Sequence, residues 1–195
     1  LSAREPDGPR SQACRGSGDP ALRCEIPSAL RIVWLGALLI LVGAIRLRLL
    51  EVPFERDEGE YAYGAQLLLA GEAPFRGLYN MKLPGAQMAY ALAMAAFGQS
   101  VAGARLGLLI ATTATTLLVY RLARRLLGDL PALAAATAQA VLSVGMAMFG
   151  PFGHATHFVA LAGSGGLLAL LRARADASGA WIFASGLLFG LAILM

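Results

Sequence analysis

Charge is scarce in this chain. Of its 195 residues only 12 are acidic and 16 basic, so charged side chains make up 14%, against about 25% in an ordinary soluble domain. A soluble domain of this length cannot cover its surface with so few. Lysine is almost missing: fifteen of the basic residues are arginine and one, Lys82, is lysine. The arginines stand at the ends of apolar runs, as topology signals do, which excludes a nucleic-acid-binding surface. There are two cysteines, Cys14 and Cys24. Their spacing matches no metal motif and supplies no disulfide framework. The N-terminal stretch does not read as a signal peptide, because its polar part is too long and no small-residue cleavage site follows the first apolar run.

What the chain has in abundance is apolar sequence. Hydrophobic residues reach 57% and the mean hydropathy is +0.64. The expected fold class is an all-α polytopic membrane protein. Residues 1–29, rich in Pro, Gly, Ser and mixed charge, are expected to form a disordered cytoplasmic tail. Residues 30–195 are expected to form a membrane domain of about five transmembrane helices, at 30–50, 104–120, 130–149, 158–171 and 180–195. The run 83–97 has fifteen residues, short of the ~20 that span a bilayer. It is read as an interfacial helix in the first external loop. With that helix lying flat, the arginines at 121–125 and 172–174 fall on the cytoplasmic side with Arg23 and Arg31, as the positive-inside tendency favours. Arg46 and Arg48, in the last turns of the first span, are expected to snorkel to the far interface or to face a protein interior. The glycine pairs Gly103/Gly107 and Gly186/Gly190 read as helix-packing positions. The chain opens on Leu1 and closes at Met195 inside its last apolar run, so it is expected to be the N-terminal piece of a longer protein.

The densest polar stretch is residues 51–83. It holds Glu51, Glu55, Asp57, Glu58, Glu60 and Glu72 against Arg56, Arg76 and Lys82, half of all the acidic residues in the chain. Adjacent carboxylates at Asp57 and Glu58 stand among Tyr61, Tyr63, Tyr79, Asn80 and Lys82. A carboxylate can take a proton from an attacking hydroxyl, and a lysine can neutralise a phosphate. From the residues alone, a reactive site and an ordinary solvated loop both account for this composition. His154 and His157, spaced by three, share a face if their segment is helical. Two ligands do not complete a zinc site. Metal binding, substrate contact and a structural role all stay open for them.

A pattern runs through this stretch: a span, then DE followed by Tyr-Ala, then a short amphipathic run ending Ala-Gly-Glu, then Tyr-x-x-Lys-x-Pro-Gly, then an Arg opening the next span. It resembles the first external loop of C-superfamily membrane glycosyltransferases. The resemblance is to the bacterial group of protein O-mannosyltransferases, aminoarabinose transferases and lipopolysaccharide-core glycosyltransferases. It covers roughly residues 30–175, and its specific part is 55–85.

The resemblance implies an enzyme that transfers a sugar, hexosyl or pentosyl, from a polyprenyl-phosphate carrier to a hydroxyl-bearing envelope acceptor (lipid, glycan or protein), with inversion. It implies a catalytic external loop at about 51–103 and a multi-pass protein of the bacterial inner membrane with that loop facing outward. Asp57 matches the family's catalytic carboxylate, and Glu58 its supporting neighbour. Lys82 matches a lysine that contacts the carrier phosphate. Arg105 matches an arginine that either contacts phosphate or anchors its helix. Tyr61, Asn80, His154 and His157 are candidate substrate contacts. Met81 stands where some relatives carry a metal-binding Glu, and Asn80 where related sequences carry Asp. No cofactor is therefore assigned and no metal ligand named, while a divalent metal stays open. Two other readings compete: a membrane transporter subunit, or an inactive structural membrane remnant. The sugar, the acceptor and the oligomeric state are not readable from the sequence.

Overall fold

The computed structural model describes residues 26–146 and 149–195. The expected disordered tail lies outside the described residues for all but its last few positions. Seven helices follow in order: α1 (Ser28–Arg48), α2 (Arg56–Leu69), α3 (Gly85–Phe97), α4 (Val101–Leu127), α5 (Asp129–Leu142), α6 (Ala155–Asp176) and α7 (Gly179–Leu194). Among the described residues there is no strand. The protein is an all-α, multi-pass membrane protein.

Three helices are long and apolar enough to cross a membrane: α1 with 21 residues, α4 with 27 and α6 with 22. The expectation of five such helices is met only in part. At ~1.5 Å per residue, the 14 residues of α5 fall short of a ~30 Å hydrocarbon core, while α7 is apolar over its 16 residues up to Leu194. Helix α5 was expected to run on to residue 149. Instead, Ser143 turns and its hydroxyl bonds back to the Ala140 carbonyl at 2.7 Å. Gly150 then folds back so closely that a Cβ there would strike the Ser143 backbone. Apolar composition alone does not reveal such a reversal.

Local chemistry explains the helix ends. Helix α2 begins at a capping box: Glu55 accepts from the Asp57 amide, and Glu58 accepts from the Glu55 amide. Two orphan donors are thus satisfied reciprocally. Helix α4 is capped by Ser100, whose hydroxyl accepts from Gly103 N at 3.1 Å. Its internal hydroxyls on Thr112, Thr115 and Thr116 are buried and bond carbonyls one turn back, at 2.9, 2.8 and 2.9 Å. This is how a hydroxyl is accommodated in an apolar helix.

Helix α4 is the central element and packs against α3, α5 and α6. Gly107 sits against Ala93 of α3, where a Cβ would collide, so this glycine is a packing position as expected. Gly186 and Gly190 have no neighbour where a Cβ would project. They face open space, and the tight contact of α7 with α6 comes instead from Ser185, whose hydroxyl donates to Gly166 O at 2.9 Å.

The bundle has two distinct ends. At one, Asp129 joins the start of α1 to the α4–α5 turn through Arg31 and Arg124. At the other, Arg46 of α1 reaches the turn after α5, so α1 and α5 run parallel. Helix α3 stays at this second end: Tyr90 meets Gly153 and Gly85 abuts Leu194. Between α1 and α4 the polar segment 51–83 contributes α2, which docks on α3 and α4 through Tyr61, Ala62, Ala65, Ala86, Tyr90, Met94 and Ala104.

Candidate functional site

Helix α2 projects two adjacent carboxylates in opposite directions. Asp57 and Glu58 are its second and third residues, in the first turn, where the helix dipole favours negative charge. Consecutive helical positions lie about 100° apart, so one side chain turns inward as its neighbour turns out. Glu58 is 1% exposed, whereas the Asp57 side chain keeps 24% of its surface open.

Glu58 is fully engaged. Its Oε2 accepts from Arg105 Nη2 at 3.0 Å and from the Glu55 amide at 3.1 Å. Its Oε1 accepts from the Gly153 amide at 2.5 Å. The Tyr90 hydroxyl lies 3.4 Å from the same oxygen and donates to Gly153 O at 2.9 Å. Arg105 in turn donates from Nη1 to Pro151 O at 2.5 Å, and its guanidinium lies over the Phe152 ring at 5.6 Å. The pair therefore joins α2, α3, α4 and the α5–α6 loop. A buried ion pair needs this many hydrogen bonds to offset the loss of water around both charges.

Asp57 faces a more open environment. Lys82 Nζ stands 3.3 Å from its Oδ2, 3.3 Å from the Tyr61 hydroxyl and 3.9 Å from Glu60 Oε2. The ammonium also lies 5.1 Å from the centre of the Tyr61 ring, within cation–π range. Asn80 holds the lysine's backbone: its Oδ1 accepts from Lys82 N at 2.8 Å, an Asx-type turn. Partial burial pushes the Asp57 carboxyl up, but hydrogen bonds and charge from Lys82 and Arg56 outweigh it and hold the group below its ordinary value of 3.8. Burial likewise pulls Lys82 down, while Tyr61 and Asp57 outweigh that and raise it above its ordinary 10.5. At neutral pH the structure presents a carboxylate beside an ammonium at an open surface.

His154 closes the site from the other loop. It is the N-cap residue of α6, and its ring nitrogens lie 3.9 Å from Glu55 Oε2 and 4.0 Å from Asp57 Oδ2. Those separations are too long for hydrogen bonds. Its Nε2 is buried and has no hydrogen-bond partner. Glu55, Asp57 and His154 form a group that can hold a metal ion, with one ligand atom from each lying within 4.8 Å of the others. The donor set of two carboxylates and an imidazole suits a divalent cation, and the orphan nitrogen fits a ligand role. Against that, Glu55 Oε2 already caps the Asp57 amide at 2.9 Å and Lys82 already neutralises Asp57. A divalent metal is thus an option the residues allow and do not demand, in line with the sequence reading.

Of the eight residues singled out in the sequence, the structure gathers Asp57, Glu58, Tyr61, Asn80, Lys82, Arg105 and His154 at one end of the bundle. Arg105 lies behind the site, buried against Glu58, and not at its open face. His157 lies in the first turn of α6, near the backbone of Gly150 and Phe152 and close to Arg46 and His154. The group that can hold a metal ion includes His154 but not His157. Three participants went unnoticed in the sequence: Glu55, Tyr90 and Gly153. Glu55 had a signal in the Glu-x-x-Glu spacing at the head of α2, a capping box with glutamate in place of the usual serine or threonine. Tyr90 and Gly153 had none.

Comparison with known proteins gives one match. A family model described as dolichyl-phosphate-mannose-protein mannosyltransferase matches residues 82–195, from Lys82 through α7. No curated protein and no solved structure matches. The match begins after α2, and the Lys82–Asp57 and Arg105–Glu58 contacts connect the matched region to the carboxylates outside it.

Proposed function

Since the chain belongs to the dolichyl-phosphate-mannose-protein mannosyltransferase family, we propose that it transfers a sugar from a polyprenyl-phosphate carrier to a hydroxyl-bearing acceptor of the cell envelope. The observation that carries this reading is the Asp57–Lys82 contact at 3.3 Å, a base and a phosphate-binding cation side by side at an open face. The acceptor hydroxyl attacks the anomeric carbon as the bond from that carbon to the phosphate oxygen breaks. Asp57 takes the hydroxyl proton, and polyprenyl phosphate leaves with the bonding electrons. Attack from the face opposite the phosphate inverts the anomeric centre. Lys82 stabilises the charge growing on the leaving phosphate.

The resting ion pair has a role in this scheme. While Lys82 holds Asp57, the carboxylate is a weak base. Once the donor phosphate engages Lys82, Asp57 loses its counter-ion and its basicity rises where the acceptor arrives. Glu58 supports Asp57 by fixing the first turn of α2. Of the two roles open to Arg105, its burial favours the anchor over the phosphate contact. Tyr61 and Asn80 hold Lys82, and His154 borders the acceptor side. The catalytic unit comprises residues 51–103 together with the α5–α6 loop, facing out of a bacterial inner membrane. The motif in 55–85 resembles that of the bacterial group of protein O-mannosyltransferases, aminoarabinose transferases and lipopolysaccharide-core glycosyltransferases.

Asp57→Asn tests the assignment in the full-length enzyme. It keeps the side chain's shape and removes the base. Turnover is expected to fall by ~10²-fold or more, with membrane expression intact. Turnover equal to wild type in purified protein would sink it.

A further inference from the structure

Arg46 lies in the last turn of α1 and is 4% exposed. Its Nη2 donates to two backbone carbonyls, Ser143 O and, at 3.1 Å, Gly150 O. Those carbonyls bracket the reversal between α5 and α6. Among the described residues its hydrogen-bond acceptors are both backbone carbonyls, and its Nε is buried without a partner. A guanidinium buried on neutral acceptors gains less than it loses in hydration. An apolar side chain would pack here at lower cost, and a snorkelling one would have carried its charge to water. The arrangement makes sense if the two hydrogens of this one terminal nitrogen are needed, at the full reach of the arginine, to hold two specific carbonyls at once.

The loop so held continues straight into the site. Arg105 grips the next carbonyl, Pro151 O, at 2.5 Å. Glu58 and Tyr90 grip Gly153 by its amide and its carbonyl. The next residue is His154, beside Glu55 and Asp57. We propose that Arg46 is a positioning residue of the transfer site: it fixes the α5–α6 reversal, and through it the place of His154 opposite Asp57. The inference rests on the transferase reading above.

The test uses the full-length enzyme with Arg46→Met, Arg46→Lys and, as reference, Asp57→Asn. In Arg46→Met, kcat per folded molecule is expected to fall ~10-fold or more, because a shift of ~1 Å at a reacting group costs up to ~10²-fold. The donor KM should stay within about twofold, since Lys82 is untouched. Arg46→Lys keeps the charge on a shorter side chain that does not place its nitrogen where Nη2 stands, so it should fall between wild type and Met. Amide hydrogen exchange should accelerate across 143–154 in both variants and stay unchanged in α2 and α4. A global loss of protection would instead mark Arg46 as a general stabiliser and overturn the proposal. So would folded Arg46→Met with wild-type kcat. If Arg46→Met does not fold, Arg46→Lys decides by the same criteria. Full activity in Asp57→Asn would overturn Asp57 as the base and, with it, the placing of His154 opposite a catalytic carboxylate, while no transfer by the wild type would overturn the transferase reading. Unchanged exchange at 143–154 in Arg46→Lys would overturn the inference alone.

Discussion

Each end of the helical bundle has a buried carboxylate gripped by arginine, and the two ends differ in what surrounds that grip. At the α4–α5 turn, Asp129 accepts from Arg31 on both oxygens at 2.5 and 2.6 Å, from Arg124 at 2.9 Å and from the Ile26 amide at 3.1 Å. The carboxylate is consumed by contacts that staple α1 to the turn. At the opposite end Glu58 is consumed in the same way by Arg105, Gly153 and Glu55. There, however, the next residue along is Asp57, half open and opposite a half-open lysine, with an unpartnered histidine nitrogen nearby. A staple alone holds helices together. A staple with uncommitted polar groups beside it holds those groups in place for something else.

Arg105→Met is the strongest way to break that comparison. It leaves Glu58 buried without its counter-charge, which costs about 3–5 kcal/mol for a buried pair. Both stability and turnover should collapse, read by thermal unfolding in detergent and by transfer assay. If turnover per folded molecule survives, the Glu58 staple does not serve the site. Asp57→Asn comes next, and its signature is the reverse: turnover falls while stability stays near wild type, because the side chain is half open. Asp129→Asn sharpens the contrast from the other end. It weakens charge-assisted hydrogen bonds worth about 1.5–3 kcal/mol, so the unfolding temperature should drop. Transfer per folded molecule should remain unchanged. Lost transfer in folded Asp129→Asn would show that the two ends are not independent.

Much of this arrangement is legible in the sequence, and what is not has a common cause. The apolar runs mark the long helices α1, α4 and α6, because a membrane helix must be apolar over most of its length. The DE pair and Lys82 stand out by chemistry and spacing, and the apolar run 83–97 marks the short helix α3, which has 13 residues. Arg46 reads as a residue that either snorkels or faces a protein interior, and Arg105 as either a phosphate contact or an anchor. What decides both is a set of backbone carbonyls at Ser143, Gly150 and Pro151, between 46 and 104 positions away. Every residue has a carbonyl, so an acceptor of this kind leaves no mark on composition. The early end of α5 is hidden for the same reason: the turn is held by Arg46 from another helix. Glu58 and Asp57 look alike in the sequence, and only the docking of α2 onto α3 and α4 separates a buried anchor from an exposed base.

The smallest expected effect is on pH dependence, and it probes the open half of the site directly. Asp57 acts as a base only when ionised, so the acid limb of kcat/KM reports its value in the free enzyme. Burial alone would raise that value, but Lys82 and Arg56 together lower it below 3.8. Wild-type activity should therefore persist as pH falls through the ordinary carboxylate range and be lost only below it. Lys82→Met removes the largest lowering influence and leaves the burial. The acid limb should then move upward in pH, over and above any loss of donor use. The same shift has a stability counterpart. The depressed carboxyl stabilises the folded state above its unfolded value, and that contribution disappears as pH falls through the folded one. High salt should shrink the displacement between wild type and Lys82→Met, since both groups are exposed enough to be screened. An acid limb that stays put in Lys82→Met would mean that the titrating base is not Asp57, and would move the search for it to the other carboxylates at this face, Glu55 and Glu60.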